Sequence, residues 1–302
     1  MTGTTTRTVP RRWWRWTGAV TALAALGMTA SGCTGQAAEP TGSGVDAALH
    51  ARLPHDVRDA GILTVATDGS YPPASFFGAD GRTVVGFEPD LAEALGALLG
   101  VRVRFVVTDF TDTLDDVQAG RTDVVISAMT DTAERERQAD FVNYFSAGTA
   151  ILVQRGNPHG IAGLGDLCGR VVAVERGTVQ VGLLQRSQRR CSDRPIQVRT
   201  HPTNDDALVE LRTGRADAVL NDYPPAVWLT AQPSTRAHYQ LASDTQYEPG
   251  LYGIAVAKDR TRLRRALTAA LRRLVSSGEY VRILREWDVA DGAVREVTVN
   301  LG

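Results

Sequence analysis

The chain has 302 residues, of which 43% are hydrophobic and 22% are charged, which is typical of a globular protein and excludes a disordered one. Its 33 basic and 34 acidic residues give a formal net charge of -1, so no overall field attracts a polyanion, and nucleic acid is not an expected partner. Because the length exceeds the span of one hydrophobic core, we expect two packed units.

The N-terminus has the pattern of an export signal. Four arginines precede an apolar run at 19–30, which is too short to span a bilayer as a permanent helix. We expect residues 1–32 to be a signal peptide. A merely basic N-terminal region is the simpler interpretation of these arginines, although Arg11 and Arg12 also fit twin-arginine export.

A cysteine follows the apolar run directly. The sequence Ala-Ser-Gly-Cys that ends at Cys33 resembles a bacterial lipobox, in which the cysteine is lipidated and becomes the mature N-terminus. The alternative is cleavage by an ordinary signal peptidase, which would leave a secreted protein without an anchor. Residues 33–44 are small, polar and turn-rich, and we expect this lipidated N-terminus to act as a flexible tether. The expected location is the outer face of the cytoplasmic membrane.

Two further cysteines, Cys168 and Cys191, follow in the second half of the chain. An exported protein meets an oxidising compartment, so we expect a disulfide between them, which would stabilise the fold by roughly 3 kcal/mol. A metal pair or a catalytic thiol is the alternative. The 5 histidines have no metal-ligand spacing, and we expect neither a metal site nor a cofactor.

From Gly61 onwards, short runs of β-branched residues alternate with helical patterns, which predicts an α/β fold with largely parallel strands. The predicted strands lie at 62–66, 101–106, 123–126, 151–154, 171–174, 196–200, 216–220 and 252–257. The predicted helices, where apolar residues recur at helical spacing, lie at 91–99, 179–189, 205–212, 226–231 and 260–275.

One pattern occurs twice. Segments 114–127 and 208–221 share a helix, a Gly-Arg-x-Asp turn and a strand, which indicates two halves built alike. Ligands of open α/β sheets bind beyond the carboxyl ends of the strands, so the residues after each repeated strand should line a site. Arg135 follows the first strand and Asp222 the second. A guanidinium suits a carboxylate and a buried aspartate suits an ammonium group, so this pair predicts a zwitterionic ligand between the halves.

Both residues also have a plainer interpretation. Arg135 lies in a charged run and could simply be solvated, and Asp222 stands where it could cap a helix that begins at Tyr223.

Six segments stand in a characteristic order and spacing: GILTVATDGSYPP, GRTVVGFEPDLAEALGALLGV, DVVISAMTDTAER, VAVERGT, LNDYPP and YGIAVAKD. Through them the chain from about Gly61 to Trp287 resembles the amino-acid-type (family 3) bacterial extracellular solute-binding proteins that feed ABC importers. The resemblance implies a type II periplasmic-binding-protein-like fold, in which two α/β lobes are joined by a two-stranded hinge. It divides the chain into lobe 1 at 45–148 plus 250–302 and lobe 2 at 149–249.

The same resemblance implies a monomer whose liganded form docks on a membrane permease, and it assigns roles to single residues. Arg135 corresponds to the clamp on the α-carboxylate of an amino acid, assisted by Thr130 and by backbone N–H groups near Ala128. Asp222 and the backbone carbonyl of Ser127 correspond to the partners of the α-ammonium.

Further positions are implied for the helix start and for the ligand side chain. The turn before Thr178 and Val179 opens a helix, whose N–H groups would meet the carboxylate at the positive end of the helix dipole. Tyr71 and Phe110 stand where the family encloses the ligand side chain between aromatic rings. Packing in the core is their plainer role.

Two carboxylates bear on the choice of ligand. Asp68 follows the first strand and Glu175 precedes the Gly-Thr turn. Both would make the pocket for the ligand side chain acidic. Buried like charges repel each other, and a cationic ligand relieves that repulsion, so we expect a basic amino acid. If Glu175 instead turns outwards and pairs with Arg176, glutamine or another polar amino acid is favoured.

Two other classes of function remain as alternatives. One is an exported enzyme on the same scaffold, resembling a dehydratase, with a pocket carboxylate as general acid; the other is an adaptor that senses a ligand. The sequence has no nucleophile elbow, no His-Cys or His-Asp pair at catalytic spacing and no metal motif. We therefore expect a binding protein rather than an enzyme.

Overall fold

The computed structural model describes residues 44–302. The predicted signal peptide, Cys33 and all but the last residue of the predicted tether lie outside the described residues. From residue 44 to the C-terminus, no helix is both long enough and apolar enough to cross a membrane.

This part of the chain alternates between strands and helices. The strands are β1 Ile62–Thr67, β2 Ser70–Tyr71, β3 Ser75–Phe77, β4 Val84–Val85, β5 Arg102–Val107, β6 Val124–Val125, β7 Ala139–Gln154, β8 Val171–Glu175, β9 Gln197–His201, β10 Ala218–Asp222, β11 Tyr239–Leu241 and β12 Tyr247–Ala257. The helices are α1 Ala47–His50, α2 His55–Ala60, α3 Phe87–Leu99, α4 Thr113–Gln118, α5 Val179–Ser187, α6 Asn204–Arg212, α7 Tyr223–Ala231, α8 Thr261–Ser277 and α9 Glu279–Glu286.

Nine of the strands form one sheet, in the order β5-β1-β6-β12-β7-β10-β8-β9, with β11 paired to β7. At one end β1 pairs in parallel with β5 and β6, and at the other end β8 pairs in parallel with β9 and β10. The two long strands β7 and β12 lie between these parallel groups and run antiparallel to each other. This is the predicted two-lobe α/β fold of type II, which is confirmed.

The two long strands connect two hydrophobic cores. Along β7, Phe145 and Ala147 belong to the core built on α3, α8 and α9, whereas Ala150 and Ile151 belong to the cores around β8 and β10. We therefore propose the lobe boundaries given by the resemblance, because the cores change between Ala147 and Ala150, next to the predicted division at 148/149.

The sequence predicts only the last part of β7, at 151–154, although the strand begins at Ala139. The missed part contains Asp140 and Asn143, which interrupt an apolar strand pattern but are buried here. Asp140 is satisfied by Lys258 and Arg264, and Asn143 by Thr298, all of them distant along the chain.

Cys168 and Cys191 form a disulfide with a Cα–Cα distance of 5.2 Å, and the predicted pairing is confirmed. Cys191 is buried in the core of the second half of the chain, beside Leu167 and Ile196. The bond thus holds the segment after α5 to that core.

Candidate functional site

A small cavity of about 20 Å³ lies between the two halves of the fold. The structure brings all eleven predicted ligand contacts to its wall, together with one residue that the sequence did not indicate, Gln180. The lining residues are Asp68, Tyr71, Phe110, Ser127, Ala128, Thr130, Arg135, Glu175, Thr178, Val179, Gln180 and Asp222. That each of them contacts a ligand stays a prediction.

Strand ends place the polar side chains of this cavity. Asp68 directly follows β1 and Ser127 follows β6, whereas Glu175 ends β8 and Asp222 ends β10. The carboxyl ends of parallel strands meet at the same edge of a sheet, so each half of the fold presents two of these residues to the space between the halves.

Asp222 is 6% exposed and holds two hydrogen bonds. Its Oδ2 accepts from the hydroxyl of Tyr71 at 3.0 Å, and its Oδ1 accepts from Nε2 of Gln180 at 2.7 Å. Although α7 begins at Tyr223, the Asp222 side chain makes no capping bond, so the helix-cap interpretation is wrong. Burial raises the pKa of Asp222 to about 6, against the opposing effect of its hydrogen bonds and of Arg135.

Tyr71 joins the two halves of the fold. Its hydroxyl donates to the Asp222 carboxylate and also accepts from the Asp222 backbone N–H at 2.9 Å. The ring packs against the core on α3, α8 and α9, as the plainer interpretation expects, while the hydroxyl reaches the cavity wall. Burial and the nearby Asp222 raise the pKa of Tyr71 well above its usual value, so the hydroxyl stays neutral and can donate.

Arg135 also spans the cavity. Its Nη1 donates to the Thr130 carbonyl at 2.7 Å and its Nη2 to the Gly177 carbonyl at 2.9 Å, in the other half of the fold. The guanidinium carbon lies 5.3 Å from the centroid of the Phe110 ring, within the range of a cation–π contact. Burial lowers the Arg135 pKa to about 10, so the group stays charged at neutral pH. It is half-buried and bonded, not simply solvated.

The start of α5 faces the same cavity. The helix begins at Val179 with Thr178 at its N-cap, and no side chain of the described chain caps it. The Thr178 hydroxyl donates instead to the Glu175 carbonyl at 2.8 Å. Gly177 allows the turn, because its φ is +78° and a Cβ there would lie 2.8 Å from the Thr111 side chain. The free N–H groups of a helix start attract an anion.

Ala128 has a positive φ of 46°, and a buried carboxylate holds it there. Its N–H donates to Oε1 of Glu88 at 2.6 Å, and Oε2 of Glu88 accepts from the Ser75 hydroxyl at 2.7 Å. The sequence predicts that backbone N–H groups near Ala128 donate to the ligand carboxylate. For Ala128 itself this prediction is wrong, because its N–H already donates to Glu88.

Asp68 and Glu175 make one end of the cavity acidic. Glu175 is 7% exposed, and its Oε1 is buried without a hydrogen-bond partner among residues 44–302. It makes no ion pair with Arg176, so the outward-turned alternative is wrong. Burial raises the Glu175 pKa to about 9, with further contributions from the nearby Asp68 and Asp222. Burial raises the pKa of Asp68 as well, although Oδ1 accepts from the Ser70 N–H at 2.9 Å.

The sequence model of the bacterial extracellular solute-binding proteins, family 3, matches residues 63–290. The chain belongs to this family. Its curated relatives include the arginine-binding protein ArgT of Corynebacterium glutamicum, which is 30% identical over 258 residues, or 83% of this chain and 82% of ArgT. Among solved structures, an ancestral arginine-binding protein bound to arginine has a TM-score of 0.69 and 36% identity, over 75% of this chain and 98% of that chain. An ancestral arginine-binding protein bound to glutamine has a TM-score of 0.69 and 35% identity, over 76% of this chain and 98% of that chain.

Membership confirms the resemblance stated from the sequence. The family is extracellular, so this solute-binding protein is exported. Lipidation at Cys33 stays a prediction, since that residue lies outside the described part of the chain.

Gln180 is the lining residue of this solute-binding protein that sequence reasoning missed. It lies in the first turn of α5, is buried, and donates to the Asp222 carboxylate. An amide in the first turn of a helix is equally compatible with solvent exposure, so the sequence pattern alone has no signal for this contact.

Proposed function

We propose that this protein binds a basic amino acid, with arginine favoured, and delivers it to the permease of an ABC importer. The observation that carries the proposal is the buried Glu175 oxygen, which has no partner among the described residues and lies in a cavity that Asp68 also lines. A ligand guanidinium supplies the missing donors. The relatives bound to arginine, or named for it, support the same choice.

The remaining charges of the cavity suit the backbone end of an amino acid. Arg135 and the start of α5 offer donors to the α-carboxylate, and Arg135 has five N–H groups, of which the two carbonyls take only part. Asp222, with the backbone carbonyl of Ser127, accepts from the α-ammonium. A guanidinium–carboxylate pair is planar and bidentate, which fixes the orientation of the ligand.

Ligand binding and closure are coupled in this arrangement. The Tyr71–Asp222 and Arg135–Gly177 bonds already join the two halves of the fold, and both end at the cavity wall. A zwitterion that pairs with Arg135 and Asp222 adds attraction between the same two halves. The closed, loaded form is thus the one that the permease receives.

For the rest of the assembly we propose the simplest arrangement. The protein acts as a monomer, and a lipid on Cys33 holds it at the outer face of the cytoplasmic membrane through the tether of residues 33–44. The tether allows the folded part to reach a permease in the same membrane.

Calorimetry with the purified protein and the twenty amino acids tests the ligand. Ornithine is tested in addition to the twenty. We expect arginine to bind most tightly, followed by lysine and ornithine. L-Citrulline is the matched control, because it has the shape of arginine without the charge, and we expect it to bind at least tenfold more weakly. A preference for an acidic amino acid, or equal binding of citrulline and arginine, would contradict the proposal.

A polar amino acid such as glutamine is the second candidate. An ancestral arginine-binding protein at 35% identity is bound to glutamine, and a protonated Glu175 can donate to an amide oxygen. Tighter binding of glutamine than of arginine at every pH would select this candidate.

A further inference from the structure

The C-terminal tail, residues 291–302, follows the segment that the family model matches. It nevertheless covers part of β7, one of the two long strands that connect the hydrophobic cores. The N–H of Asn143 donates to the Thr298 carbonyl at 3.0 Å, and the N–H of Asn300 donates to the Phe141 carbonyl at 3.1 Å. The strand β10 pairs with β7 from Thr149 onwards. The tail pairs with an earlier part of β7, through the bridge between Val142 and Val299, as a short strand-like segment.

The tail ends against the loop that carries the carboxylate clamp. The N–H of Leu301 donates to Oδ2 of Asp131 at 3.0 Å, and the N–H of Gly302 donates to Oε1 of Glu136 at 3.1 Å. The same Asp131 oxygen accepts from Nδ2 of Asn143 at 2.9 Å. Asp131 is 3% exposed, so these donors replace water at its Oδ2, whereas its Oδ1 has no hydrogen-bond partner among residues 44–302.

Asp131 lies next to the residue that orients the clamp. Thr130 directly precedes it, lines the cavity, and accepts from Nη1 of Arg135 through its carbonyl. The Asp131 N–H, which belongs to the same peptide group as that carbonyl, donates to the Leu251 carbonyl at 2.7 Å. The bonds to the Asp131 carboxylate add a second restraint on the carbonyl that orients the guanidinium. The close approach of the tail adds to this restraint, since a Cβ on Gly302 would lie 2.4 Å from the carbonyl group of Asp131.

We propose that the C-terminal tail is a positioning element for the carboxylate end of the binding site. The Leu301 N–H and the Asn143 amide hold Asp131, and Asp131 holds the Thr130 carbonyl that orients the Arg135 guanidinium. This inference rests on the proposed function, because Arg135 acts there as the clamp on the α-carboxylate.

The end of the tail can be removed without loss of core packing. The Leu301 side chain is 62% exposed, whereas Val297 earlier in the tail is buried in the core. The N–H of Val294 is also held by the Tyr280 hydroxyl at 2.9 Å. Deletion of Leu301 and Gly302 thus removes one of the two donors to Asp131 and the tail's donor to Glu136, and it leaves the Asn143 bond and the anchoring contacts in place.

The test compares the full chain with that deletion, using L-arginine and L-argininamide in calorimetry. Argininamide keeps the ammonium and the guanidinium of arginine but has no carboxylate for Arg135 to hold, and its weaker binding is measured by competition. We expect the deletion to weaken arginine binding about tenfold, argininamide binding less than twofold, and the melting temperature hardly at all. Leu301→Ala is the matched control, since it keeps the N–H, and should behave as the unaltered protein.

Two results would overturn the inference: unchanged arginine affinity in the deletion variant, or an equal loss for both ligands, which indicates a general structural role. Hydrogen exchange in the ligand-free protein gives a second measurement. The amides of residues 130–136 should exchange faster in the deletion variant than in the full chain, and equal rates there also overturn the inference, whether or not an amino acid binds. A full chain that binds no amino acid refutes the proposed function instead.

Discussion

Replacing Glu175 with glutamine tests the acidic end of the cavity directly. The amide keeps the size and shape of the side chain but cannot ionise, and Glu175 is buried without an ion-pair partner in residues 44–302. The variant therefore separates the attraction of a cationic ligand from the packing of the cavity wall.

The expected effect follows from two opposing free energies. A guanidinium and a carboxylate about 4 Å apart attract each other by about 4 kcal/mol at an effective dielectric constant near 20. Since the Glu175 pKa is about 9, ionising the carboxyl group at pH 7 costs roughly 2.7 kcal/mol. The difference, roughly 1.3 kcal/mol, is worth about a factor of ten in arginine affinity.

The same reasoning sets the pH dependence. A carboxyl group with a raised pKa is neutral below that pKa and gains its charge as the pH rises. Each unit of pH from 7 towards 9 therefore lowers the cost of ionising Glu175 by about 1.4 kcal/mol, and the advantage of the unaltered protein over the variant grows about tenfold per unit.

Calorimetric titration of L-arginine at pH 6, 7 and 8 into both proteins measures this. L-Glutamine is the control ligand, whose affinity should change little, because it brings no charge to Glu175. Equal arginine affinity of the two proteins at pH 8, or a difference that does not grow with pH, would refute the assignment of Glu175 to the cationic end of the ligand.

The other predictions concern the clamp, the ammonium partner, the anchor and the disulfide. Arg135→Ala should weaken arginine binding at least a hundredfold with an unchanged far-ultraviolet circular dichroism spectrum; retained affinity removes Arg135 from the site. Asp222→Asn should weaken binding more than tenfold in calorimetry, and full affinity contradicts its role as ammonium partner. Cys33→Ala should move the protein from the membrane fraction to the soluble fraction, and continued membrane retention argues against lipidation. Replacing Cys168 and Cys191 by serine should destabilise the fold by about 3 kcal/mol in denaturant unfolding, and unchanged stability contradicts the calculation.

Much of the fold is predictable from local patterns, because the strands that end at the cavity are apolar runs of ordinary length. β1 and β8 match their predicted positions to within a residue. The hinge is less predictable. The part of β7 that includes Asp140 and Asn143 becomes a strand only because partners far along the chain satisfy its buried polar groups, and no local pattern reports such partners.

The site, too, is predictable from the sequence only in part. The repeated helix-turn-strand segment and the rule of strand ends suffice to bring Arg135 and Asp222 to one cleft. They do not give the hydrogen bond between Tyr71 and Asp222, which joins residues 151 positions apart, or the contact of Gln180. The Tyr71 contact depends on how the two halves meet, which is a property of the closed fold. The Gln180 contact lies within the proposed lobe 2 and depends on where α5 begins relative to the end of β10.

The balance of charge in the closed cavity supports the proposed preference for a basic ligand. Asp68, Glu175 and Asp222 face one guanidinium, that of Arg135, so the fully ionised cavity has two excess negative charges. In the proposed binding mode, the carboxylate and ammonium of any amino acid pair with Arg135 and Asp222 and leave that excess on Asp68 and Glu175. With a neutral side chain, Glu175 keeps its proton, because burial raises its pKa to about 9, whereas a cationic side chain pairs with the ionised Glu175 carboxylate. The complex with arginine therefore holds one proton fewer than the complex with glutamine, and rising pH favours arginine over glutamine in the same cavity.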